Sequence, residues 1–232
     1  MKLKELNREF QDEGLLKLAL THSSYANQHQ GMESNEKLEF LGDAILQLVI
    51  TRFLYAHGQG RGEGELTKIR AMIVCEPSLY EVALKWNLGH HILISHGEEA
   101  TGGRVRQSLL ADAVEAIIAA LYLDQGLEAA DELVLTFFDD IIQRALNHEI
   151  ILDYKTRLQE LLQESGEITI RYELERFEGP PHRRKFFTKV SVDEITMGRG
   201  SGMSKKEAEQ EAAKNALSKL VTQRVDRGEK TS

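Results

Sequence analysis

The chain has 232 residues, of which 41% are hydrophobic and 28% are charged, and this composition excludes collagen-like, low-complexity and largely disordered proteins. Its single cysteine, Cys75, excludes a disulfide scaffold and any CxxC zinc motif. No apolar run reaches the roughly 18 residues that a membrane span needs, and residues 1–10 lack the apolar core of a signal peptide. We therefore expect a soluble, cytoplasmic protein that has no membrane partner.

The net charge of −8 is unevenly distributed along the chain. From Asp153 onward there are 16 basic and 14 acidic residues, whereas the preceding part holds 13 basic and 23 acidic ones. This asymmetry predicts two modules with different electrostatic roles. The first module would repel phosphates unless metal ions neutralised its charge.

The first 147 residues have the pattern of successive helices. Long apolar-periodic stretches are separated by glycine-rich loops at residues 57–64 and 97–103, and strand-like alternation is absent. Glu76 followed by Pro77 is typical of a helix start. The glycines of the first loop are not followed by GK[ST], so this loop is not a nucleotide-binding P-loop.

A different pattern follows a short predicted linker at residues 148–152. A helix is predicted over 155–164, then two alternating strands, a shorter third strand around 195–197, and a helix that opens with the capping-box pair Ser204 and Glu207. The alternating strand positions are Ile168, Ile170, Tyr172 and Leu174, and then Phe186, Thr188, Val190 and Val192. The last helix would bury Ala208, Ala212, Ala213, Ala216 and Leu220. The second module is thus α-β-β-β-α over 153–222, and residues 223–232 are expected to form a disordered tail.

Two carboxylates stand out in the apolar stretch of residues 109–123. Asp112 and Glu115 are three residues apart and share one face of a helix that is otherwise apolar all round. Burying an unpaired carboxylate costs several kcal/mol, so such groups are normally paired or bound to metal. The alternatives are therefore a salt bridge to a basic residue elsewhere in the chain or a metal site.

A second predicted helix, residues 35–55, carries three more acids. At ~100° per residue, Glu36, Glu39 and Asp43 fall on one narrow arc, where like charges repel. The opposite face is formed by Leu38, Leu41, Ile45 and Leu48. A solvated acidic face is the alternative interpretation, but it is weakened because Phe40, Leu46 and Ile50 lie on or beside the same arc.

Taken together, the acids of the two helices predict a site of hard oxygen ligands, which suits Mg²⁺ or Mn²⁺ better than zinc. Two such ions close together would activate water and stabilise a leaving oxygen, as phosphodiester cleavage requires.

Several segments are similar to the ribonuclease III family, and they follow one another in the family's order along essentially the whole chain. They are ALTHSSYAN at 19–27, NEKLEFLGDAIL at 35–46, EGELTKIR at 63–70 and GGRVRQSLLADAVEAIIAALYLD at 102–124. The second segment resembles the family signature most closely. Ser34 and Lys37 depart from the commoner His and Arg, and neither belongs to the acidic set.

This resemblance implies an all-α N-terminal endonuclease domain with a defined set of site residues. The implied metal ligands are Glu39, Asp43, Asp112 and Glu115. Of these, Asp43 and Glu115 match the acids that are essential for catalysis. Glu36 and Glu63 match secondary acids of the cleavage valley, and Phe40 matches an aromatic residue that contacts the partner subunit.

The resemblance also implies the activity. Family members are homodimers that use Mg²⁺, with Mn²⁺ as a substitute and no organic cofactor, to cut both strands of duplex RNA. Their products carry 5′-phosphate and 3′-hydroxyl ends with two-nucleotide 3′ overhangs, and they process rRNA, mRNA and other structured RNA.

The second module is similar to the double-stranded-RNA-binding domain, an α+β fold, in three segments: 155–163, 179–187 and 198–217. The helix start at Ser204, followed by Lys205 and Lys206, offers free N–H groups and positive charge to phosphates. The remaining residues expected to face RNA, across its minor grooves, are Thr156, Gln159, Glu160 and His182. Such a domain recognises A-form shape more than sequence.

The leading hypothesis is therefore a Mg²⁺-dependent, double-strand-specific endoribonuclease. A non-catalytic RNA-binding dimer is the alternative, and the loss of a ligand carboxylate would favour it. A helical metal hydrolase acting on small substrates would leave the second module unexplained.

Overall fold

The computed structural model describes residues 10–58, 60–150, 153–163, 168–180 and 183–226. The chain divides into two compact units, Met1–Ile150 and Ile151–Ser232. Among the described residues, no helix combines the length and the apolar character that crossing a membrane requires.

The first unit is helical, as the sequence predicts. Its helices are α1 (Glu13–Ala19), α2 (Ser23–Ala26), α3 (Glu36–His57), α4 (Glu63–Ile73), α5 (Glu76–Trp86), α6 (His96–Ala100), α7 (Gln107–Gln125) and α8 (Leu127–Leu146). The segment 97–103, predicted as a loop, instead overlaps α6, whose start is capped by Ser95 through a bond from the Glu98 N–H (3.1 Å). In the described part of this unit, β pairing is limited to one bridge between Thr21 and Leu93.

Helix α7 lies at the centre of the first unit. It packs against α1, α3, α5 and α8, and most of its side chains are buried, with Ile117 and Ile118 fully so. A helix that is apolar over most of its surface is stable in such a position, and Asp112 and Glu115 are accordingly half-buried within it.

The second unit has the predicted α-β-β-β-α order. It consists of α9 (Tyr154–Gln163), β1 (Ile170–Glu178), β2 (Lys185–Val192), β3 (Ile195–Gly202) and α10 (Lys205–Asp226), with the strands antiparallel in the order β1-β2-β3. Helix α10 extends four residues into the segment predicted as a tail.

Two strand details differ from the sequence prediction. Strand β3 continues to Gly202 because Gly198, Gly200 and Gly202 face α10, and a Cβ on Gly198 or Gly200 would lie 2.2 Å from the backbone of Ala212. Leu174 is 42% exposed, since β1 has a bulge directly after it and bulges change the direction of side chains.

Candidate active site

The close approach of α3 and α7 brings the acids of the two helices together. Gly42 of α3 lies against the backbone of Glu115, and a Cβ at position 42 would be only 1.9 Å from the Glu115 carbonyl oxygen. Only a residue without a side chain permits this crossing. The glycine is therefore part of the site, although the pattern of charges along the sequence does not indicate it.

Three of the predicted ligands meet where the helices cross. Glu39, Asp112 and Glu115 each offer one carboxylate oxygen, and these oxygens lie within 4.8 Å of one another. All three side chains are half-buried. In the part of the chain that the structure describes, no lysine or arginine forms an ion pair with any of them, so the salt-bridge alternative is not realised there.

The site holds these acids at a high electrostatic cost. Burial raises the pKa of Glu115 to about 8, with further contributions from Asp43, Asp112 and Glu39. Burial also raises the pKa of Asp112 to about 6, followed by repulsion from Glu39 and Glu76, and it raises the pKa of Glu39. A divalent cation would relieve this repulsion, and half-buried carboxylates without a basic partner fit Mg²⁺ or Mn²⁺.

Asp43 lies beside this cluster rather than inside it. It is close enough to raise the pKa of both Glu39 and Glu115, yet its oxygens are not among the three that lie within 4.8 Å of one another. The side-chain amide of Gln47 donates to both of its carboxylate oxygens, at 3.0 and 3.1 Å. Gln47 therefore holds Asp43 beside the three clustered carboxylates.

The two secondary acids lie outside the cluster. Glu36 is exposed, accepts a hydrogen bond from the Ser34 hydroxyl (2.7 Å) and raises the pKa of Glu39. Glu63 is also exposed, at the first residue of α4, and accepts from the Thr67 hydroxyl (3.2 Å).

Two neighbours of the cluster were not identified from the sequence, namely Gln47 and Glu76. Glu76 appeared there only as a helix start, because its proximity to Asp112 arises from the packing of α5 on α7. The signal for Gln47 was present, since a residue four positions after an acid on a helix faces that acid.

An apolar stripe lies exposed on α3. Phe40 is 82% exposed, Leu48 47% and Tyr55 87%, and at 100° per residue they fall within an arc of about 80°. Leu48, which the sequence placed on the face shared with Leu38 and Ile45, is thus partly in solvent. Large exposed apolar side chains on one face are typical of a protein–protein interface.

The second unit presents most of the predicted RNA-facing residues on α9 and at the start of α10. Thr156, Gln159 and Lys206 line one shared cavity. Glu160, Lys205 and Lys206 are exposed, and among the described residues neither lysine is in an ion pair. His182 lies outside the described residues.

The predicted pair Ser204 and Glu207 caps the start of α10, although the Glu207 side chain bonds the Met203 N–H rather than the Ser204 N–H of a standard capping box. The Glu207 N–H donates to the Ser204 hydroxyl oxygen (3.1 Å), and the Glu207 carboxylate accepts from the Met203 N–H (2.8 Å). The cap fixes the helix start, so that the two lysines that follow it are held at the positive end of the helix dipole.

Each of the two units is similar to a known protein family. A family model described as ribonuclease-III-like matches residues 12–141, and the double-stranded RNA binding motif matches residues 154–220. Ribonuclease 3 of Clostridium beijerinckii is 62% identical over 90% of each chain, and that of Clostridium perfringens is 57% identical over 91% of this chain and 90% of its own. A solved nuclease domain of ribonuclease III from Campylobacter jejuni is 40% identical, has a TM-score of 0.55, and covers 60% of this chain and 97% of its own.

Proposed function

This chain belongs to the ribonuclease III family, and we propose that it cuts duplex RNA with the four carboxylates of Glu39, Asp43, Asp112 and Glu115. It is a double-strand-specific endoribonuclease with a nuclease domain and a double-stranded-RNA-binding domain. The observation that carries the assignment of the site is the convergence of three carboxylates, within 4.8 Å and without a basic partner in the described part of the chain.

The proposed cofactor is Mg²⁺, for which Mn²⁺ can substitute. When bound, the cation supplies Lewis acidity that activates water and stabilises the leaving oxygen. The protein contributes the geometry: α7 holds Asp112 and Glu115 rigidly, and α3 brings Glu39 and Asp43 to them. Asp43 and Glu115 are proposed as the catalytic acids, with Glu36 and Glu63 as secondary acids at the edge.

The proposed RNA grip is formed by the second unit. Lys205 and Lys206 would contact phosphates, and Ser204, which lies between β3 and these lysines in the chain, would fix the start of their helix. Helix α9 would contact a minor groove. The α9 residues are Thr156, Gln159 and Glu160, and His182 completes the proposed set. The proposed domain limits remain 1–147 and 153–222.

We further propose that the protein is a homodimer, in which Phe40 contacts the partner subunit. Two active sites facing opposite strands would leave 5′-phosphate and 3′-hydroxyl ends with two-nucleotide 3′ overhangs. The proposed substrates are structured RNA, including rRNA and mRNA precursors, and the proposed location is therefore the cytoplasm.

A perfectly paired RNA of about 30 base pairs, longer than the roughly 16 base pairs that one RNA-binding domain spans, tests this proposal. With Mg²⁺, the wild type should cut both strands on a denaturing gel, and EDTA should stop it. Asp43→Ala should lose at least about 100-fold in rate, since an electrostatic group at the reacting centre is worth on the order of 10²–10³, while it still binds the duplex in Ca²⁺.

The matched control is Asp139→Ala, which removes an exposed aspartate on α8 that also has a glutamine four residues later. It should cut at the wild-type rate. Binding without cutting by the wild type, in Mg²⁺ and Mn²⁺ alike, would instead support the non-catalytic RNA-binding dimer.

A further inference from the structure

Gln47 is the side chain that holds Asp43 in place. It lies one helical turn beyond Asp43 on α3, and its Nε2 donates to Oδ1 at 3.0 Å and to Oδ2 at 3.1 Å. Both residues are half-buried. A single N–H₂ group shared evenly between two oxygens fixes the plane of the carboxylate as well as its position.

Asp43 needs such a restraint because its surroundings repel it. Asp43 is close enough to Glu39 and Glu115 to raise the pKa of both, and whenever these neighbours are ionised their charge pushes the Asp43 carboxylate toward solvent. Among the described residues, no lysine or arginine is paired with Asp43. The Gln47 amide supplies the side-chain hydrogen bonds that oppose this repulsion.

We infer that Gln47 is a positioning residue, which presents Asp43 to the divalent cation of the proposed site. The inference rests on the proposed function and deepens it. An ionised carboxylate has about four lone-pair positions, and the amide uses one on each oxygen, so the remaining positions stay available to a cation. Outer hydrogen-bond partners of this kind orient the ligands of metal sites.

The chemical type of Gln47 supports this role. A lysine in its place would also hold the carboxylate, but its positive charge would oppose the cation and neutralise the ligand. A neutral amide orients the carboxylate and leaves its full charge to the metal.

The test compares Gln47→Met with the wild type in the full-length protein. Methionine keeps the length and helix propensity of glutamine but lacks the donor. Mn²⁺ binding is measured by calorimetry without RNA, and the Mg²⁺ concentration for half-maximal cleavage is measured on a duplex. We expect the dissociation constant for Mn²⁺ and the Mg²⁺ concentration for half-maximal cleavage each to rise at least about 10-fold, which is the lower end of the effect of losing an outer hydrogen-bond partner of a metal ligand. The kcat at saturating Mg²⁺ should change by less than about threefold, because the ligand Asp43 itself remains.

The matched control is Gln143→Met. Gln143 donates to Asp139 (3.4 Å) with the same spacing on α8, so this variant removes an equivalent contact far along the chain from the acids. It should bind Mn²⁺ as the wild type does. Thermal melting of both variants without metal shows whether either has lost stability. If Gln47 had only a structural role, Gln47→Met would melt at a lower temperature than the wild type.

The outcomes separate this inference from the proposed function. If the wild type cuts duplex RNA and Gln47→Met binds Mn²⁺ with unchanged affinity, the role of Gln47 is wrong and the site stands. If the wild type neither binds Mn²⁺ nor cuts, the proposed site itself is wrong, and the role of Gln47 falls with it.

Discussion

Glu115 is the residue at which burial and like charge act most strongly together. Its pKa of about 8 means that, without a cation, this carboxyl group holds a proton at neutral pH. A cation binds only the ionised form, so binding must release that proton. Binding of a cation therefore relieves the unfavourable electrostatic environment of the Glu115 carboxylate.

The same shift predicts how stability depends on pH. In the unfolded chain Glu115 loses its proton near the ordinary pKa of 4.5, whereas in the folded protein it does so near 8. Between these values the folded state holds more protons, so the free energy of unfolding decreases as pH rises. We expect the Tm of the cation-free protein to fall across this window, and calorimetry in EDTA measures it.

Glu115→Gln, which cannot ionise, should lose most of this slope and melt higher than the wild type at pH 8. At roughly 2–4 °C per kcal/mol of unfolding free energy for chains of this size, we expect a gain of several degrees. Glu132→Gln changes an exposed acid on α8 and should keep the wild-type slope. If Tm fell with pH equally steeply in all three proteins, the raised pKa of Glu115 would be contradicted.

At the scale of elements, the site depends on how closely two helices cross. Helices usually pack 8–10 Å apart, and the contact between Gly42 and the Glu115 carbonyl places this crossing at the close end, where acids on both helices can share one cation. The crossing and the charge cluster are therefore one feature.

We predict that Gly42→Ala destabilises the protein, because its Cβ would lie 1.9 Å from the Glu115 carbonyl oxygen and force α3 away from α7. Overpacking of this kind costs about 3 kcal/mol or more in the free energy of unfolding, measured by urea denaturation. Gly64→Ala is the matched control, since its Cβ on α4 would meet nothing within 4 Å. Equal stability of the two variants would contradict the close crossing.

The elements also show how much of the fold the sequence predicts. Hydrophobic periodicity identified α3, α7 and the order of the second unit, because each pattern is local. The full length of β3 was not predictable, since three alternating glycines indicate a loop unless α10 is known to pack on them. Likewise, Glu39 and Glu115 were recognisable from the sequence because they are acids on largely apolar helices. Glu76 was not, because only tertiary packing brings it close to Asp112.

At the scale of the whole molecule, the two units differ in charge, and this difference matches their different roles. The first unit is acidic, and it would reach an anionic duplex only when cations occupy its site. The second carries unpaired lysines, among its described residues, at a capped helix start. Affinity for phosphate and the chemistry at phosphate are therefore assigned to different units, and a homodimer would bring two copies of each to one duplex.

The apolar stripe on α3 predicts this dimer. Phe40 is 82% exposed in the single chain, and truncating a buried aromatic anchor at an interface costs at least about 2 kcal/mol. Phe40→Ala should therefore raise the dimer dissociation constant on the order of 30-fold, measured by sedimentation equilibrium. Leu84→Ala, which removes a 57% exposed leucine on α5, should leave it unchanged. If Phe40→Ala dissociates no more readily than the wild type on dilution, the stripe on α3 serves another partner.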